Sequence, residues 1–111
     1  GNLIYSSTKV GFARWIRRHA ALPEWAGAGI PLNAVAPGVI LTPMVAPLME
    51  TDEGRSMIEQ AVPMPLNGFA EAIVVARLLA WLAGPENSHL CGQVVFVDGG
   101  SDVVIRGDSV W

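Results

Sequence analysis

Charge is scarce in this chain. Only 15% of its 111 residues are Asp, Glu, Lys or Arg, against roughly 25% in an ordinary soluble domain. With 51% of residues hydrophobic, an intrinsically disordered chain is excluded. The 7 basic side chains are outnumbered by 10 acidic ones, so no electropositive field exists to neutralise several phosphates, and nucleic acid is not an expected partner. Long apolar runs are missing as well. The longest strongly apolar stretch, Ala72 to Ala83, is interrupted by Arg77 and falls short of the ~20 residues a bilayer span requires, so no membrane association is expected. A single cysteine, Cys91, excludes an internal disulfide and fits a reducing, cytoplasmic compartment. An initiator methionine is lacking too: the sequence opens Gly1-Asn2-Leu3-Ile4, and we expect the native chain to begin upstream. A compact body of this length hides only about 60 to 68% of its unfolded surface. We therefore expect a second copy, or a missing piece of the same protein, to cover some of the apolar remainder.

From Tyr5 to about Leu22 the pattern is helical. Tyr5, Lys9, Phe12, Ile16 and Ala20 recur at intervals of three and four, and Arg14, Arg17 and Arg18 fall on the other face. Pro23 and Gly27-Ala28-Gly29 break the helix, and Ile30 to Ala36 reads as a strand stopped by Pro37-Gly38. Residues 39–66 hold Pro43, Pro47, Pro63 and Pro65 around two short helical pieces, near Val45 to Glu50 and Glu53 to Ala61. A connection of that length inside a domain reads as a lid or binding loop. Asn67 is a plausible cap for a helix from Phe69 to Ala83, ended by Gly84-Pro85. That helix is apolar almost all round, so we expect it between a sheet and a neighbour such as another subunit. Gln93 to Val97 reads as a strand buried on both faces and closed by Asp98-Gly99-Gly100. Helix, strand, lid, helix, strand is an α/β order, with two parallel strands joined by a crossover that belong in a larger sheet.

Candidate chemistry begins with Tyr5 and Lys9, which are one helical turn apart. A phenol ordinarily titrates near 10, and a cation about 6 Å away at an effective dielectric near 20 stabilises the phenolate by roughly 3 kcal/mol. Tyr5 can then exchange a proton nearer neutrality, as a general acid does at a carbonyl oxygen or a general base at an alcohol. Lys9 has donors to spare for a ribose hydroxyl. Taken alone, the pair is most simply a packed phenol beside a snorkelling lysine. His19, His89 and Cys91 have no metal-binding spacing, so no metal is expected. Asp98 reads as a turn former, and Trp15, Trp25, Trp81 and Trp111 as packing residues.

The pair gains meaning from the order that follows it. Tyr5-Ser6-Ser7-Thr8-Lys9 precedes Leu32-Asn33-Ala34-Val35-Ala36-Pro37-Gly38, then Thr42-Pro43-Met44, and finally Gly92-Gln93-Val94-Val95-Phe96-Val97-Asp98-Gly99-Gly100. Over all 111 residues this series resembles the C-terminal portion of the short-chain dehydrogenases/reductases. The resemblance implies an NAD- or NADP-dependent oxidoreductase on a Rossmann-type doubly wound parallel sheet, with residues 1–111 as the C-terminal part of one domain. By position, Tyr5 matches the catalytic acid/base, and Lys9 matches the residue that lowers its pKa and binds the nicotinamide ribose. Pro37 and Gly38 match the turn lining the nicotinamide, Ile40 the backbone that meets the carboxamide, and Thr42 the hydroxyl that does likewise.

The family's glycine-rich fingerprint, its coenzyme-selecting residue and its catalytic serine all lie upstream of the tyrosine. Ser6 and Ser7 do not occupy the serine's place. The 111 residues alone are therefore not expected to bind a dinucleotide properly or to turn over. All four methionines, Met44, Met49, Met57 and Met64, fall in residues 39–66 beside Leu41, Val45, Leu48 and Ile58. A lid carrying Met44, Leu48, Met49, Met57 and Ile58 suits a lipophilic alcohol or carbonyl, though the same methionines could equally be packing beneath it. The run from Gly100 to Arg106 resembles the bacterial hydroxysteroid dehydrogenase/carbonyl reductase branch. We expect a homo-oligomer, dimer or tetramer, through the 69–83 helix, the last strand and the apolar tail of Val103, Val104, Ile105 and Trp111. The alternative from another class is a catalytically silent assembly or binding module on the same fold. A sugar-nucleotide epimerase ranks third, since such enzymes continue into a larger substrate domain.

Overall fold

Helix α1 runs from Asn2 to His19, and its last turn places Arg17, Arg18 and His19 where cations complement the helix dipole. The computed structural model describes the backbone of residues 2–109 and the side chains of residues 9–109. The Tyr5 side chain and the whole of Trp111 thus lie outside the described residues. A short 3-10 turn, Ala26–Ala28, follows, closed by Gly29 at φ 77°. Strand β1 is Ala34–Pro37, β2 Ile40–Leu41, β3 Ala70–Glu71 and β4 Val94–Val97. The remaining helices are α2 (Ala46–Met49), α3 (Asp52–Ala61), α4 (Ala72–Ala83) and α5 (Ser101–Arg106). β1 pairs with β4, and β2 pairs in parallel with β3 in the register Ile40 to Ala70 and Leu41 to Glu71.

Two compact units make up the chain, Gly1–Val35 with Leu78–Val95, and Ala36–Arg77 with Phe96–Trp111. The first is built on apolar burial: Ile16, Ala20 and Leu82 are its buried hydrophobic residues, and the first two belong to the face the helical spacing selects. The Cys91 thiol donates to the Ala20 carbonyl at 3.5 Å. Trp15 stacks on His19 and meets Trp25 edge-on. Two asparagines hold the loop that leads into β4. The Asn33 amide donates to Leu90 O at 2.8 Å and its oxygen accepts from Gln93 N–H at 2.9 Å. Buried Asn87 donates to Leu82 O and Leu90 O and accepts from Leu90 N–H.

In the second unit the buried residues are polar, Asp98 and Ser101. Asp98 Oδ1 accepts from Gly100 N–H at 3.1 Å and Oδ2 from Asp102 N–H at 2.8 Å, which satisfies two of the orphan donors that open α5. At the far end of α5, Asp102 pairs with Arg106, and its hydrogen bond to the guanidinium pushes that group's pKa above its ordinary value. The same guanidinium lies 5.3 Å from the centre of the Phe96 ring. In α3, Thr51 Oγ1 accepts from Gly54 N–H at 3.0 Å as the N-cap.

Several boundaries depart from the expected ones. α1 stops at His19 rather than Leu22 because the next residues tighten into turns, with Leu22 N–H donating to His19 O. β1 starts at Ala34 rather than Ile30, since Pro31 has no N–H for a ladder. Asn67 is not a helix cap. It sits in the left-handed region at φ 62°, followed by Gly68 at φ 67°, and α4 begins only at Ala72 because residues 70–71 are held as β3. β4 is not buried on both faces within the chain, as Phe96 is 45% exposed. Val103, Val104 and Ile105 of the expected apolar tail lie in α5 and are exposed.

Candidate active site

β1 ends where Pro37 can no longer extend the ladder, and Gly38 N–H donates to Val97 O at 3.3 Å. The chain then turns through Val39 into β2. Val39 is gripped on both sides: its N–H donates to Met64 Sδ at 3.3 Å, and its carbonyl accepts from Ala70 N–H at 3.2 Å. Ile40 is half-buried and paired with β3. Thr42, half-buried just beyond it, accepts at its carbonyl from Val45 N–H and Ala46 N–H, both at 3.0 Å, and so launches α2. Pro37, Gly38, Ile40 and Thr42 are therefore one continuous turn-and-strand feature of the second unit, lying at a strand's carboxyl end as ligand sites of open α/β sheets do.

Tyr5 and Lys9 belong to the first unit. α1 is unbroken across both positions, so their backbones are one turn apart, and Lys9 is exposed. Among the residues expected in a lid, Met44 is 88% and Met57 71% exposed, Leu48 is exposed, and Met49 and Ile58 are half-buried. Arg55 fastens α3 to α2, its Nη1 donating to Met49 O at 3.0 Å while the same guanidinium pairs with Asp52.

Met64 behaves differently from the other methionines. A Cβ on Gly38 would stand 2.9 Å from both Sδ and Cε of Met64, and one on Gly99 would stand 3.0 Å from its Cβ. The apolar pattern of residues 39–66 does not separate Met64 from its neighbours. Its only local signal is the pair of prolines, Pro63 and Pro65, on either side.

A family model described as enoyl-(acyl carrier protein) reductase matches residues 1–102. The chain is 34% identical over 106 residues to the 3-alpha-hydroxysteroid dehydrogenase/carbonyl reductase of Comamonas testosteroni, covering 96% of this chain and 40% of that protein. The crystal structure of the 3-alpha-hydroxysteroid dehydrogenase from Pseudomonas sp. B-0831 complexed with NADH superposes with a TM-score of 0.68 at 35% identity, over 86% of this chain and 37% of that one. ElxO with NADP bound gives a TM-score of 0.70 at 32% identity, over 89% and 39%. The chain thus spans no more than 40% of the length of these relatives. With nearly all of it matched by one family model and by relatives of this kind, the chain is a partial Rossmann-type α/β domain belonging to the short-chain dehydrogenase/reductase family.

Proposed function

We propose that these residues form the C-terminal part of an NAD- or NADP-dependent oxidoreductase that interconverts an alcohol and a ketone or aldehyde. Tyr5 acts as the general acid/base and Lys9 as the cation that lowers its pKa and holds the nicotinamide ribose. The observation that carries this reading is the family match, together with the Tyr5-x-x-x-Lys9 spacing on an uninterrupted α1.

The residues of the second unit fit the coenzyme's reactive end. A nicotinamide carboxamide has one donor and one acceptor group, and the Ile40 backbone and Thr42 hydroxyl supply the complementary kinds, with Pro37 and Gly38 forming the wall beside them. When bound, such a coenzyme supplies or accepts hydride. The chain's own part is to bind and orient it, to move a proton at the Tyr5 hydroxyl and to shed water from the site. The 111 residues by themselves are not expected to turn over.

The substrate we assign is lipophilic and steroid-like, taken under a lid of residues 39–66. The exposed apolar side chains of Met44, Leu48 and Met57, beside half-buried Met49 and Ile58, support it, as do hydroxysteroid dehydrogenases among the relatives. The exposed Ile73, Val74, Leu79 and Trp81 of α4 support a homo-oligomer. No helix among the described residues is long and apolar enough to cross a membrane, and we place the protein in the cytoplasm on its single cysteine.

The decisive experiment is Tyr5→Phe in the full-length protein. Hydride transfer should be abolished while dinucleotide binding stays largely intact; undiminished turnover would defeat the assignment.

A further inference from the structure

The segment 64–71 makes more contacts with the strand ends than a connection into a helix requires. Its Ala70 N–H binds the Val39 carbonyl, and its Leu66 N–H donates to Gly99 O at 2.9 Å. Its Met64 sulfur accepts the Val39 N–H. Residues 70 and 71 then pair with Ile40 and Leu41. The strand-end turn is thus held from one side by a single short stretch of chain.

Met64 is the part of this brace that reaches farthest. Pro65 keeps the preceding residue extended, and Pro63 fixes φ on the other side, so the side chain is presented by stiff backbone. Gly38 and Gly99 leave it room: a Cβ on Gly38 would also come within 3.1 Å of Asp98 Cα, and one on Gly99 within 2.9 Å of Leu66 O. A thioether is a weak acceptor, yet here it takes the N–H immediately before Ile40, whose backbone orientation decides what can be bonded there.

We infer that Met64 is a positioning residue: through the Val39 N–H it sets the Gly38–Val39–Ile40 backbone against which the nicotinamide ring is held. The inference rests on the coenzyme reading above. It assigns Met64 no contact with substrate or coenzyme, and it separates this methionine from Met44 and Met57 of the lid.

The test uses the full-length protein with Met64→Leu, which keeps apolar bulk and removes the acceptor, and Met64→Gln, which keeps the length and restores one. Amide hydrogen exchange at Val39 should speed up in Met64→Leu and slow again in Met64→Gln. The dissociation constant for NADH or NADPH, whichever the wild type binds, should rise about twofold in Met64→Leu, the low end of one hydrogen bond's net worth, as befits a weak acceptor. Binding of the matching ADP-ribose, which lacks the nicotinamide, should not change. Unchanged Val39 exchange, or equal weakening of coenzyme and ADP-ribose, overturns the positioning role. A wild-type protein that binds neither coenzyme overturns the oxidoreductase reading itself, which is a separate result.

Discussion

The two units hold themselves together by different means. In the first, Ile16, Ala20 and Leu82 are buried, and buried Asn87 fastens the neighbouring loop through three hydrogen bonds. In the second, the described residues include no buried hydrophobic side chain. Asp98 and Ser101 are buried instead, while Met44, Met57 and Leu66 stand more than half exposed. Burial of apolar surface is non-directional and rewards volume, whereas the buried Asp98 of the second unit is held by directional bonds at a strand end. On the reading proposed above, the first unit contributes the Tyr5-x-x-x-Lys9 spacing on α1 and the second the strand-end turn and the exposed apolar side chains of residues 39–66.

The contrast is broken most forcefully at Ile16, only 1% exposed. Ile16→Ala should destabilise the protein by about 2–5 kcal/mol, the range for truncating a buried aliphatic side chain, and equilibrium denaturation measures it. Asp98→Ala should cost less, about 1–3 kcal/mol, because it removes two hydrogen-bond acceptors rather than a packed volume. Asp98→Asn should recover part of that loss, since the amide oxygen can still accept from one of the two N–H groups, Gly100 or Asp102. Equal costs for Ile16→Ala and Asp98→Ala would show that the two units do not differ in the way described.

The same contrast explains what could be read from the residues alone. In α1 the three-and-four spacing names Ile16 and Ala20, which are buried, and also Lys9 and Phe12, which are exposed, so apolar packing leaves its periodic trace only toward the end of the helix. β4 is legible as a Val/Phe run closed by Asp-Gly-Gly. β2 and β3 are two residues each, too short to leave any alternation, so the pairing of Ile40 with Ala70 was hidden. Asn67 misled because an asparagine before an apolar run resembles a cap. The Asn67-Gly68 pair is a left-handed turn instead, a use both residue types share. Of the candidate site, the Tyr5, Lys9, Pro37 and Gly38 motif is visible in one dimension. The Met64 contact is not, since one side chain turning inward among four methionines obeys no period.

The smallest effect on stability, and the sharpest use of the comparison, lies in residues 39–66, the proposed lid. Met44→Ser and Met57→Ser remove side chains that are 88% and 71% exposed, so each should change stability by no more than about 0.5 kcal/mol. Their effect should be on the substrate instead. A bulky apolar ketone must replace the water around those thioethers, and it loses that contact when they become hydroxyls. A small ketone that does not reach the lid loses little. In the full-length protein KM should therefore rise for bulky apolar ketones more than for small ones, with kcat on the small ones preserved. Equal rises would mean that the exposed methionines serve something other than the substrate, and that the second unit's uncovered apolar surface belongs to a protein contact rather than to a ligand.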